Sequence, residues 1–133
     1  MKKGNYFSLS SFRNTKIFNY KTITSFEDAC EVLNLDPNKF PDLSGVPLDY
    51  RRSIIAYHKL LIIYKAINDI WTPNYKNYYQ VKFYPWIKGE LIGSSSTRTH
   101  SYIGNLCCDS PEKAEFIIEH FKDEYIDYLL LPR

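Results

Sequence analysis

Tyr78-Tyr79-Gln80-Val81-Lys82-Phe83-Tyr84-Pro85-Trp86-Ile87 is the stretch on which the fold class turns. It is rich in β-branched and aromatic residues, the composition of a strand. Tyr79, Val81 and Phe83 alternate with Gln80, Lys82 and Tyr84, so a period of two sends the first set to a core and the second to solvent. Pro85 cannot donate to a ladder, which puts it at an edge or a bulge. Downstream, residues 90–93 and 98–107 are two further strand candidates, separated by the polar tip Ser94-Ser95-Ser96-Thr97.

Helical patterns flank this block on both sides. Upstream, Ser25 followed by Glu27 and Asp28 reads as an N-cap with acids in the first turn of a short helix, which Asp36-Pro37 stops. Pro47 suits the first turn of a long helix ending near Ile70 or Trp71, before Pro73. At 100° per residue Ile54, Tyr57, Leu60, Leu61, Ile63, Tyr64, Ile67 and Trp71 share one half of it, while Ile55 and Ile62 stand apart on the charged side. Ser110-Pro111-Glu112 opens a last helix that should run to about Leu130. Its apolar stripe is Ala114, Ile117, Ile118, Phe121, Tyr125 and Tyr128; Glu112, Glu115, Glu119, Asp123 and Asp127 make an acidic ridge. The expected core joins Ile54, Leu61 and Tyr64 to Ile117, Phe121 and Tyr125.

This order predicts an α+β fold: a small antiparallel sheet of about three strands packed by a long central helix and a C-terminal helix. Residues 25–133 form a single domain, preceded by a basic, extended N-terminal segment, residues 1–24, with a strand expected over 16–23. That segment holds five basic and no acidic residues, whereas residues 109–133 hold three basic and seven acidic ones. The whole chain of 133 residues has a net charge of only +2, which by itself demands neither nucleic acid nor an anionic surface. Its aromatic content of 17% leaves rings that a small core cannot hide.

Polar residues from Ser8 to Asn14 interrupt what would be the apolar core of a secretion signal, so none is expected. His58, Lys59, Lys65, Asn68 and Asp69 interrupt residues 54–70, so no membrane span is expected either. Cys30, Cys107 and Cys108 give an odd count with an adjacent pair, which is poor geometry for a disulfide and points to free thiols in a reducing cytoplasm. No cysteine or histidine pair has zinc spacing, and the acidic ridge is better read as a solvated face, so no metal and no cofactor are expected. His100 lies near Cys107 and Cys108 in sequence, but core cysteines and a solvated histidine are the better reading.

Ala56-Tyr57-His58-Lys59-Leu60-Leu61-Ile62-Ile63, Ala66-Ile67-Asn68 with Trp71-Thr72-Pro73-Asn74, Lys82-Phe83-Tyr84-Pro85-Trp86, and Asn105-Leu106-Cys107 with Ser110 and Glu112-Lys113-Ala114-Glu115 form a further pattern. It resembles a group of small uncharacterised proteins of gut Bacteroidetes, their prophages and phages, over about residues 25–130. No activity is assigned to that group, so the resemblance implies a phage or mobile-element setting, in the bacterial host cytoplasm or associated with the virion, and nothing chemical.

Trp71, Tyr75, Lys76, Lys82, Tyr84, Trp86 and Arg98 are the candidate binding residues, aromatic rings interleaved with cations. The expected role is a non-enzymatic protein-interaction or structural accessory protein, with a protein partner or self-association as its mode. The alternative is a single-stranded nucleic-acid binding module in which the rings stack on bases and the cations meet phosphates.

Overall fold

The computed structural model describes residues 17–133. Helix α1 (Phe26–Leu33) starts at Ser25, whose Oγ accepts from the Asp28 backbone N–H at 3.0 Å. The Asp28 carboxylate in turn accepts from the backbone and side chain of Thr24, a reciprocal cap. The helix ends at Asn34, in the left-handed region at φ 57°, before Asp36-Pro37 is reached. Helix α2 (Leu48–Asn68) follows directly on Pro47. Strands β1 (Lys82–Lys88) and β2 (Leu91–Thr97) form one antiparallel hairpin with Lys82 opposite Thr97 and Trp86 opposite Gly93. Helices α3 (Pro111–His120) and α4 (Lys122–Tyr128) complete the α+β fold.

The sheet has two strands where about three were expected. Thr97 Oγ1 accepts from the backbone N–H groups of both Thr99 and His100, a local alternative that ends the ladder. A 3-10 turn at Ser101–Ile103 and Gly104 at φ 60° then carry the chain away. Among the described residues the expected third strand is reduced to a single bridge, in which Phe83 and Cys108 exchange a pair of backbone bonds at 2.8 and 2.9 Å. In the N-terminal segment, residues 1–16 lie outside the described residues; where a strand was expected up to residue 23, a 3-10 turn occupies Tyr20–Thr22. Ile23 is buried, so the core begins two residues before position 25.

The last helix is also not continuous. Phe121 leaves helical geometry at φ −125° and ψ 30°, while its N–H still bonds the Ile117 carbonyl at 2.8 Å. The break has a packing reason: α3 lies against β1 and β2, whereas α4 lies against α2. A straight helix could present its one stripe to only one of them.

The core joins Ile23, Phe26 and Cys30, then Leu60, Ile63, Tyr64 and Ile67 of α2, then Ile117, Ile118, Phe121 and Tyr125. The hydroxyls of Tyr64 and Tyr125 bond to each other inside it. Ile54 does not belong to it: at 38% exposure it sits on the N-terminal half of α2, beside exposed Leu48 and Tyr50. Leu61 packs against the core from a half-buried position, and Ile62 is covered in the same way. Two neighbours, α1 and α4, embrace α2, so its buried arc is wider than one stripe.

Candidate interaction surface

Strand β1 begins at Lys82, and the alternation expected from Tyr79 onward does not exist. Residues 74–80 are a chain of turns instead. Asn74 Oδ1 accepts from Lys76 N–H and Asn77 Oδ1 from Tyr79 N–H, both side chains mimicking backbone turns. Gln80 ties the two ends of the segment: its Oε1 accepts from Asn74 N–H and its Nε2 donates to the Thr72 carbonyl at 2.9 Å. Phe83 packs against the core as expected, but Tyr79 and Lys82 take the opposite sides to those the alternation assigns. Tyr79 is 93% exposed, and Lys82, assigned to solvent, is 0% exposed.

Lys82 is the centre of this construction. Its Nζ donates to the carbonyls of Asn74 at 2.9 Å and of Gln80 and Arg98 at 3.1 Å, with the Asn77 carbonyl at 3.4 Å. It also lies 4.8 Å from the centre of the Tyr75 ring, a cation–π distance. An ammonium has three donors and no acceptor, so a cage of carbonyls is the environment that replaces its water. The charge stitches the 74–80 loop to the end of β2. Lys82 is thus withdrawn from any surface on which it was expected to meet a ligand.

The other six candidates divide among separate places. Tyr75 is half-buried and donates to the Gly104 carbonyl at 2.8 Å. Trp71 lines a cleft at the C-terminal end of α2. Tyr84 lines a second cleft of about 160 Å³ with Tyr102, Tyr125 and Tyr128. Trp86, two residues along β1, lies across the hairpin on Gly93, where a Cβ would come within 2.4 Å of the indole ring. Gly93 is the residue that lets the ring lie flat on the sheet. Lys76 is exposed, as is Arg98, whose carbonyl is one of the Lys82 acceptors. Tyr78 and Tyr79, which the strand reading assigned to a sheet, are the exposed aromatics that reading missed; the turn signals Asn74 and Asn77 just before them carried the information.

Both adjacent cysteines are buried, rather than one of the two as strand alternation implies. Burial pushes the Cys108 thiol up to about 12 and raises that of Cys107. His100 stacks on Tyr102 at 5.3 Å and lies within hydrogen-bonding distance of its hydroxyl, so its partner is a tyrosine and not a thiol. Among the described residues the three cysteines are free, and no group of three His, Cys, Asp or Glu side chains could hold a metal ion. The acidic ridge is divided by the break at Phe121; Glu115 accepts from Ser94, and Asp127 pairs with Arg52 and Arg133.

A pH dependence follows from Cys108. The folded protein keeps its proton up to about 12, whereas the unfolded thiol, with an ordinary value of about 8.5, releases it earlier. The native state binds more protons in that window, so stability is full below it and falls as pH rises through it. Denaturation midpoints should drop between pH 9 and 11 by more in wild type than in Cys108→Ala, and alkylation at pH 8 should be slow until urea is added. Rapid alkylation of all three thiols in the native protein would contradict the burial.

No family model matches the chain, and no curated protein or solved structure is detectably similar to it.

Proposed function

We propose that the protein is a non-enzymatic interaction module, a structural or accessory protein of a phage or mobile element that binds a protein partner or a second copy of itself. The observation that carries this reading is the exposure of Tyr78 and Tyr79 on a loop whose backbone is pinned by a buried ammonium. Tyrosine offers a large amphipathic contact at low entropic cost, and a loop fixed beforehand loses little further freedom on binding. Trp86 and Leu91 on the adjoining hairpin, 38% and 65% exposed, add apolar area. The role needs no cofactor and no membrane; no helix among the described residues is long and apolar enough to cross one.

Single-strand nucleic-acid binding is the second reading, favoured by Lys76, Lys88 and Arg98, which remain exposed on the same segment as Tyr84 and Trp86. With Lys82 engaged by carbonyls, that segment offers three accessible cations rather than four. A sedimentation series and a pull-down from phage-infected cells, each with wild type and with Tyr78→Ser/Tyr79→Ser, test the first reading. We expect an associated species or a captured partner that the double variant loses without change in melting temperature. Saturable oligonucleotide binding that weakens steeply with salt and is lost in Lys76→Ala/Lys88→Ala/Arg98→Ala would establish the second instead.

A further inference from the structure

We infer that the outer edge of β2 is a self-association surface, on which a second copy of the chain pairs its own β2 antiparallel about a two-fold axis through Ser94. The inference rests on the interaction reading above; it names the partner as a second copy and the surface as a strand edge, separate from the loop that carries Tyr78 and Tyr79.

The direction of the backbone groups follows from the bridge at Phe83. Both the N–H and the carbonyl of Phe83 bond Cys108, on the side of β1 away from β2. Phe83 and Ser96, which stand opposite each other, are therefore a pair without mutual hydrogen bonds. Such pairs alternate with bonded ones along an antiparallel ladder, so Pro85 with Ser94 and Ile87 with Ile92 are of the same kind. The N–H and carbonyl groups of Ile92, Ser94 and Ser96 thus point away from β1, and among the described residues none of them has a backbone partner.

The two edges of the hairpin differ. On the outer side of β1, Cys108 occupies Phe83, and Pro85 has no N–H to offer. Strand β2 carries no charge and no proline, and its register is uninterrupted, so the charges, prolines and bulges that usually blunt an edge are missing from it. Ser95 and Ser96 are exposed, and so are Leu91 and Ile92.

Charge selects a second copy as the occupant. An uncharged strand can lie against itself without repulsion, and β2 is flanked by exposed Glu90 on one side and exposed Arg98 on the other. With Ser94 opposite Ser94 of the second copy, Ile92 faces Ser96, the whole strand from Leu91 to Thr97 is used, and Glu90 stands opposite Arg98 at both ends of the seam. Opposite charges directly across a strand pair are favourable. Moving the axis to Gly93 sets Lys88 against Arg98, a like-charge pair, and moving it to Ser95 sets Arg98 against Ile92; both shorten the pairing. In the register centred on Ser94 each outward N–H meets an outward carbonyl, about six bonds in all, and two hairpins join into one sheet with a self-complementary interface. One contact opposes the pairing. Glu115 lies 3.3 Å from Ser94 Oγ, so an axis through Ser94 brings the two Glu115 carboxylates towards each other.

Sedimentation equilibrium of the full chain over a dilution series should show monomer and dimer exchanging. Ser96→Pro should abolish the dimer at unchanged melting temperature, because it deletes an outward N–H and takes none from the hairpin ladder. Should the proline lower the melting temperature, the charges at the ends of the seam carry the test. Glu90→Arg and Arg98→Glu should each weaken the dimer about tenfold, since each turns two cross-strand attractions into repulsions, and the two changes combined should restore it. Glu115→Gln should tighten it by about threefold through loss of the repulsion at the axis. A combined variant as weak as either single one would overturn the register. A dimer indifferent to Ser96→Pro and to both reversals, yet lost in Tyr78→Ser/Tyr79→Ser, would overturn the edge and leave the interaction reading standing. A monomer at every concentration would also overturn the edge, and the interaction reading would then stand or fall with the pull-down.

Discussion

Lys82→Met should lower the stability of the protein by about 2 to 3 kcal/mol, the upper part of the range for leaving a buried carbonyl without its donor. Methionine keeps the length and apolar character of the stem, so little packing is lost and the difference reports the ammonium. Two effects oppose each other. Removing a fully buried charge relieves its desolvation, but the carbonyls of Asn74, Gln80 and Arg98 lose their shared donor, each at about 1 to 3 kcal/mol if it stays dry. With three acceptors against one cation the loss should win. Part of the loss can be recovered if the 74–80 loop opens to water, so amide exchange should rise first at Asn77 and Gln80, whose N–H groups sit in that loop's turns. A urea midpoint equal to wild type would show that the cage is incidental. Lys82→Arg should not rescue, because a planar fork cannot take the place of a point donor among carbonyls on several sides.

Phe121→Ala should cost about 3 to 5 kcal/mol, the range for deleting a buried aromatic ring. Phe121 is 1% exposed and stands where α3 ends and α4 begins, so its ring fills the angle between the helix on the sheet and the helix on α2. A cavity there can collapse only if two helices move together. Leu60→Ala should approach the same loss, Leu61→Ala should cost less, and Ile54→Ala should stay below about 1 kcal/mol because its side chain is already partly in water. Chemical denaturation of the four variants gives the order directly. A larger loss at Ile54 than at Leu60 would overturn the assignment of the α2 face.

Helix starts were legible because they depend on neighbours in sequence. Ser25 and Ser110 cap as their spacing with acids and proline suggested, each Oγ accepting an N–H three residues on. The stripe Leu60, Ile63, Tyr64 and Ile67 was legible for a similar reason, since a 3.6-residue period is a property of the chain itself. The candidate site was legible only as a region. Residues 71–98 hold several exposed rings and cations, though Tyr50 and Tyr102 are exposed elsewhere; the residue singled out as a surface cation, Lys82, is an internal support, and Tyr78 and Tyr79 lie outside.

By itself, then, the amino-acid order determined which segments are helical, the α+β class, and where aromatic and basic side chains concentrate, because caps, proline positions and periodicity act over a few residues. Tertiary structure decided the break at Phe121, the reduction of a third strand to the Phe83–Cys108 bridge, and the direction in which Lys82 points. Each of these depends on partners distant in sequence: α3 and α4 face different neighbours, the bridge joins Phe83 to Cys108 across the whole hairpin, and the Arg98 carbonyl that helps hold Lys82 stands sixteen residues away. A lysine reads as solvent-facing in any alternation rule because burying its charge alone is unfavourable. The rule fails where the folded chain brings together several carbonyls to receive it.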